Sequence, residues 1–280
     1  MSYLAPPDIA KTACDLGEKK GKMSVGKMII PGILAGAYIA FAALAATVIG
    51  SGWVGDWATS GLNKAAGAFA FTVGLILVVV AGSELFTGNN MYLAISKMAG
   101  KTTWGGLLKN WGTVYVANFI GAMIVVSIAF FGGFLFLNGD LSAIGAKAVA
   151  TAQAKVSLTW GAAFLKGIGC NWLVCLAVWM SLGAQDVVGK IFSCFFPIFT
   201  FVLIGFEHSV ANMFFIPIGI LAANGTVDVL TWGNFVFSNL IPVTLGNIVG
   251  GGLFVGIFYS LVYLKKSKEN KIDANQNKAA

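Results

Sequence analysis

The chain has 280 residues, of which 58% are hydrophobic and only 10% charged, and its mean hydropathy of +0.83 lies far outside soluble globular composition. Its formal charge of +7 comes from lysine alone. Without arginine or aromatics interleaved in the basic tail, nucleic-acid binding is excluded as a reading, and a polytopic helical membrane protein is expected.

Residues 1–27 contain no apolar core, so no cleaved signal peptide is expected. Their charges, mixed with apolar positions such as Ile9 and Leu16, predict an amphipathic helix on the cytoplasmic face. A first span is expected over about residues 28–49, close to the 20 residues that cross a hydrocarbon core, with Gly32, Ala35 and Gly36 as small contact residues. After a loop with Asp56, a second apolar stretch runs over about 65–81 and meets Gly82-Ser83-Glu84-Leu85-Phe86-Thr87-Gly88-Asn89. A half-helix is expected to resume over 91–98. The third span is placed at 111–137, and a polar loop at 138–159 carries a short helix over 143–154 with Lys155 at its end. The fourth covers 160–182, with Lys166 near its start and Asn171 near its middle. The fifth starts near 191, breaks at Gly205-Phe206-Glu207-His208-Ser209-Val210-Ala211-Asn212-Met213 and resumes over 213–222. The sixth is expected over 235–264, and the lysine-rich tail 265–280 is expected to be disordered. The organisation is therefore a leader (1–27), a channel-type membrane domain (28–264) and a basic tail (265–280).

The two interruptions share one spacing: Gly82, Glu84 and Asn89 correspond to Gly205, Glu207 and Asn212. Downstream, Asn110, Asn118 and Gly121 recur as Asn239, Asn247 and Gly250, again with identical spacing. Patterns repeated in the same order indicate an internal repeat of about half the chain. Lysines cluster before the first span, between the second and third, and after the sixth, which puts both termini in the cytoplasm. Three spans per half invert the chain, so the repeat is expected to be inverted, with helices 2 and 5 broken at membrane depth. Irregular backbone there is tolerated only where it lines a protein-enclosed or watery cavity.

An ionised group at the bilayer centre costs roughly 2.5–3.5 kcal/mol on insertion scales, so a polar knot at that depth marks a site. His208, the only histidine, stands beside Glu207 in one break and is read as a pore residue. Glu84 and Glu207, with Asn89 and Asn212, are read as structural support, the carboxylates accepting backbone N–H groups freed by the breaks. Cys170 and Cys175 lack a second ligand pair, so no metal site is expected, and no cofactor. With no second histidine, metal cluster or nucleophile–base pair, an intramembrane enzyme is not supported. A water or glycerol pore leaves the histidine beside a glutamate unexplained.

The stretches from Gly82 and Gly205, together with Asn-Trp-Leu-Val-Cys-Leu-Ala-Val-Trp-Met from Asn171 and Leu-Ala-Gly-Ala-Tyr-Ile-Ala from Leu34, resemble the formate/nitrite transporter family, which includes formate, nitrite and hydrosulfide channels. The resemblance implies an all-α, aquaporin-like fold, a homopentamer in a bacterial inner membrane, and one narrow pore per subunit for small monovalent anions. It maps a pore histidine onto His208, a threonine donor onto Thr87, a pore asparagine onto Asn171 and a vestibule lysine onto Lys155, with Lys147 nearby. Apolar constrictions fall on Phe71, Leu75 and Leu85 on one side and on Val174 and Phe201 on the other. The break Thr87-Gly88-Asn89-Asn90 leans toward the hydrosulfide branch, with formate as the alternative substrate.

Overall fold

The computed structural model describes residues 3–264, and the tail 265–280 lies outside them. The fold is mostly helical. Five helices are long and apolar enough to cross a membrane: α2 (Val25–Ile49), the kinked pair α3 (Gly61–Phe71) and α4 (Val73–Val80), α6 (Trp104–Phe131), α8 (Trp160–Gly183) and the final helix (Trp232–Tyr263). Shorter helices complete the bundle: α1 (Pro6–Lys22), α5 (Phe86–Met98), α7 (Ala143–Val156), α9 (Val187–Leu203) and α10 (Ser209–Ala223). One departure from an all-α chain is a small hairpin, Phe136–Leu137 paired with Asp140–Leu141, between α6 and α7.

Several boundaries differ from those expected. The half-helices start at Phe86 and Ser209 rather than at residues 91 and 213. Helix α6 starts at Trp104 rather than 111, because the Thr103 hydroxyl caps Gly106 N, and it ends at Phe131 where Gly132 and a left-handed Gly133 turn the chain. The leader is not a separate surface helix. Ile9, Ala13 and Cys14 of α1 are buried in the main core, and at Gly17 a side chain would run into the backbone of Tyr92 in α5.

Two close helix crossings hold the bundle. Helices α2 and α6 approach so tightly that a Cβ at Gly36 would meet the Asn118 carbonyl, and one at Gly121 would meet that of Ile33. The final helix crosses α8 in the same manner, with Gly246 against Phe164 O and Gly250 against Ile168 O. Small residues permit backbone-to-backbone packing where lipid offers no hydrophobic drive between helices. Over Phe235–Leu240 and Val249–Ile257 the final helix widens to π-type hydrogen bonding, a register change that occurs at functional sites. Its Gly251 lies so near Asn171 and Cys175 of α8 that any side chain would displace them.

Gly121→Leu is expected to force α2 and α6 apart and abolish recovery of a monodisperse protein in detergent, whereas Gly112→Leu, at an open helix position, should be tolerated. Size-exclusion profiles of the two variants test this; a normal Gly121→Leu profile would contradict the packing account.

Candidate functional site

Each break begins with a glycine in the left-handed region, Gly82 at φ 79° and Gly205 at φ 75°, a conformation that strains any other residue. The chain then runs extended into a half-helix whose first N–H groups have no partner within the helix. Asparagines from neighbouring helices supply them. Asn118 Oδ1 accepts Phe86 N–H at 2.9 Å, and Asn247 Oδ1 accepts Ser209 N–H at 2.9 Å. The amide nitrogen of Asn118 donates to Gly32 O and Glu84 O, and that of Asn247 to Gly167 O and Glu207 O.

The carboxylates do something other than expected: they bind side chains, not freed backbone. Glu84 accepts from Asn89 Nδ2 at 2.8 Å and from Lys20 Nζ at 2.5 Å; Glu207 accepts from Asn212 Nδ2 at 2.7 Å and from Lys155 Nζ at 2.9 Å. Asn89 also donates to Asn110 Oδ1, which reaches back to Lys20 O; Asn212 donates to Asn239 Oδ1, which reaches back to Lys155 O. The lysines even lie over matched rings, Lys20 over Tyr92 and Lys155 over Phe215. In these bonds the two breaks are one cluster built twice, although Asn239 also donates to Glu207 and Asn110 also reaches Met28 Sδ. Helix α1, with Lys20, is therefore the counterpart of α7, with Lys155.

Two cavities open at opposite ends of the α3–α4 and α9 helices. The first, about 440 Å³, is bordered by Lys64, Lys147, Lys155, Glu207 and His208 and floored by Phe71 and Phe201. The second, about 300 Å³, is bordered by Lys20 and Lys190 and floored by Leu75, Leu85 and Val178. Between the floors lies a thin partition. Phe71 and Phe201 meet edge to face at 5.9 Å, and Phe201 stacks on the His208 ring at 6.0 Å. Val174 and Asn171 are buried and border neither cavity. Asn171 donates to Thr87 O, Asn90 Oδ1 and Asn247 O, which ties the half-helix α5 to α8 and the final helix behind the partition.

A polar contact beside the partition joins the two breaks: His208 Nε2 lies 3.0 Å from Thr87 Oγ1. His208 is the N-cap of α10, its Nδ1 accepting Ala211 N–H at 3.0 Å. A ring nitrogen that accepts a backbone N–H carries no proton, so the neutral ring holds its proton on Nε2 and donates it to the Thr87 hydroxyl. The proton of Thr87 is then the one left to donate.

From the sequence Lys20 reads only as one of the lysines clustered before the first span, and Lys64 and Lys190 do not read as site residues. A marker for Lys64 and Lys190 is available there, since each is the fourth residue of the helix that leads into a break. Lys147 is half-buried in α7, and that burial pulls its ammonium below the ordinary lysine value.

Two cavities that converge on a thin apolar partition inside a bundle of membrane-length helices define a membrane transport protein. The formate/nitrite transporter family model matches residues 7–261, and the chain belongs to that family. A probable formate transporter of Methanothermobacter thermautotrophicus is 46% identical, over 95% of this chain and 99% of that protein. Formate channel FocA of Escherichia coli (strain K12) is 38% identical over 95% and 97%. Among solved structures, a pentameric formate channel with formate bound superposes with a TM-score of 0.74 at 38% identity, covering 86% of this chain and 98% of that one. An FNT family ion channel superposes with a TM-score of 0.82 at 28% identity, covering 91% and 98%.

Removing an asparagine cap leaves buried backbone groups unpaired at about 1–3 kcal/mol each. Asn118→Ala and Asn247→Ala are both expected to lower the melting temperature in detergent, and by similar amounts because their contacts match. Wild-type melting of either variant would contradict the cap assignment.

Proposed function

We propose that the protein is a channel for small monovalent anions of weak acids, with formate as its substrate. The observation that carries this reading is the pair of lysine-bordered cavities, one floored by Phe71 and Phe201 and the other by Leu75 and Leu85, beside the His208–Thr87 hydrogen bond. The relatives and the solved neighbour that carry formate in their names favour it over hydrosulfide, for which the Thr87-Gly88-Asn89-Asn90 segment is the sole argument.

The chain crosses the membrane six times as two inverted halves, α9 with its 17 residues being the fifth crossing in chain order and the one added to the five long helices. Positive charge near α1 and around Lys97, Lys101 and Lys109 puts the termini and the second cavity on the cytoplasmic side, and Lys155 outside. The likeness to a pentameric channel supports a homopentamer with one pore in each subunit.

In this pathway an anion leaves the lysine-bordered cavity and sheds water against Phe71 and Phe201, or against Leu75 and Leu85 from the other side. The Thr87 hydroxyl, oriented by His208 Nε2–H, donates to it where dehydration costs most. His208 borders the first cavity, and if its Nδ1 releases the Ala211 N–H and takes up a proton from that side, the Nε2 proton passes to Thr87 and the Thr87 proton to formate. This leaves a neutral ring and a neutral acid that crosses an apolar ring at far lower desolvation cost. Glu84, Glu207, Asn89 and Asn212 hold the breaks, and Asn171 and Val174 hold the Thr87 backbone and the partition from behind.

Stopped-flow flux of formate, nitrite, hydrosulfide and glycerol into proteoliposomes tests the substrate: formate is expected to pass and glycerol to be excluded, and glycerol flux without formate flux would sink the proposal. His208→Asn keeps a side chain able to cap α10 but cannot carry a proton. Its formate flux between about pH 5 and 8 is expected to lose the wild-type pH dependence; superimposable profiles would leave His208 a cap alone.

The partition makes a separate prediction. Leu85→Ala and Phe201→Ala are expected to widen it and admit acetate in the same assay, and acetate exclusion in both variants would return these residues to ordinary packing.

A further inference from the structure

Resting on the anion-channel reading, the geometry points to a division of labour among the lysines: we propose that Lys64 and Lys147, and not Lys155, supply the field that draws anions into the first cavity, with Lys190 acting alone at the second. Lys155 is a poor attractor. Its ammonium is bonded to Glu207 at 2.9 Å, its side chain is only 15% exposed, and it lies over the Phe215 ring. To an approaching anion the pair is a dipole with little net charge. Lys20 is neutralised by Glu84 in the same way, at 14% exposure.

Lys64 and Lys147 make no ion pair among the described residues, and Glu207 is the only acidic residue bordering their cavity. Counting the residues that border it, three lysines less one glutamate leave two positive charges. Lys147, Thr151 and Lys155 recur at intervals of four along α7, so a single helix face carries charge from the mouth of this cavity to its floor. The Lys147 stem is braced where α2 ends: its Cε lies 3.0 Å from where a Cβ on Gly50 would be. At the second cavity no acidic residue among the described ones borders the space, and with Lys20 cancelled by Glu84, Lys190 is the described lining residue that contributes net charge. The first cavity is thus the stronger collector. Charge of one sign in a cleft with low-dielectric walls raises the local concentration of counter-ions and their entry rate, an effect that salt removes.

The test is formate influx into proteoliposomes at ionic strengths from about 10 mM to about 300 mM, set with an impermeant salt, since the screening length falls several-fold over this range. Wild-type influx is expected to drop steeply as salt rises. Lys64→Gln/Lys147→Gln should reduce influx about three- to tenfold at low salt, flatten the salt dependence and converge with wild type at high salt. Lys64→Gln alone should give an intermediate slope, and Lys190→Gln a smaller change than the double variant. Lys11→Gln/Lys109→Gln removes the same charge away from both cavities and should behave as wild type. Equal salt slopes in the double variant and wild type would overturn the proposal, as would a loss that persists at high salt, which marks damage to the pore instead of a screened field. Wild type that carries no formate at any salt would overturn the channel reading itself, so the two failures are distinguishable.

Discussion

A helix that stops inside a membrane protein exposes backbone N–H and C=O groups with no water to satisfy them, and the rest of this structure follows from how those groups are met. Asn118 and Asn247 each reach across from a neighbouring helix to cap the new half-helix with Oδ1 and to bind two carbonyls with Nδ2. The reach demands proximity. Gly36 and Gly121 let α2 and α6 touch backbone to backbone beside Asn118, while Gly246 and Gly250 do so for α8 and the final helix beside Asn247. The glycine crossings, the asparagine caps and the broken helices are thus one device, used twice.

The carboxylates extend it. A glutamate near an anion path would oppose permeation if it stood free, but Glu84 and Glu207 each face a lysine and an asparagine amide. Breaking such a buried pair by removing one partner typically costs about 3–5 kcal/mol, because a bare charge remains. The arrangement fixes the end of α1 against the first break and the end of α7 against the second, since Asn110 and Asn239 hold the backbone carbonyls of the same lysines. Its electrostatic consequence is local neutrality at the floor of each cavity, which leaves unpaired lysines nearer the mouths to set the field.

How much of this was legible depended on whether spacing or space carried it. The Gly-Glu-Asn and Asn-Asn-Gly spacings lie within continuous stretches of chain, so the repeat and both breaks could be read directly, as could His208 from its solitude. The Lys20–Lys155 equivalence could not, because 64 residues separate Lys20 from Glu84 but only 52 separate Lys155 from Glu207. Loop lengths differ where the folded contacts do not. For the same reason α1 reads as an amphipathic helix on the cytoplasmic face: its apolar positions suit a membrane surface as well as they suit α5, and folded contacts such as Gly17 against Tyr92 and Lys20 with Glu84 distinguish the two. The half-helix starts are hard to read because Leu85 offers no side-chain cap and His208, the N-cap of α10, is not a residue type that signals one, while Phe86 N–H and Ser209 N–H are met from elsewhere. Their caps come from residues 32 and 38 positions away.

Where the halves differ is as informative as where they agree. Aligned on Glu84 and Glu207, Leu85 takes the place of His208 and Thr87 that of Val210. Each half therefore contributes one polar residue to the meeting point and one apolar residue to the corresponding place. A strict duplicate would put either two histidines or two leucines there: the first would bury two ionisable rings side by side with no threonine hydroxyl between them, and the second would leave the threonine hydroxyls with no ring to orient them. Exchanging the polar role between halves gives a single hydrogen-bonded pair, Thr87 and His208, inside an otherwise apolar barrier. The half that caps with Leu85 has no side-chain cap, and the half that caps with His208 does. The ring that closes the second break is thereby held in the tautomer that points its proton at the first. Duplication supplies the skeleton of the path, and the loss of duplication at these two positions supplies its chemistry.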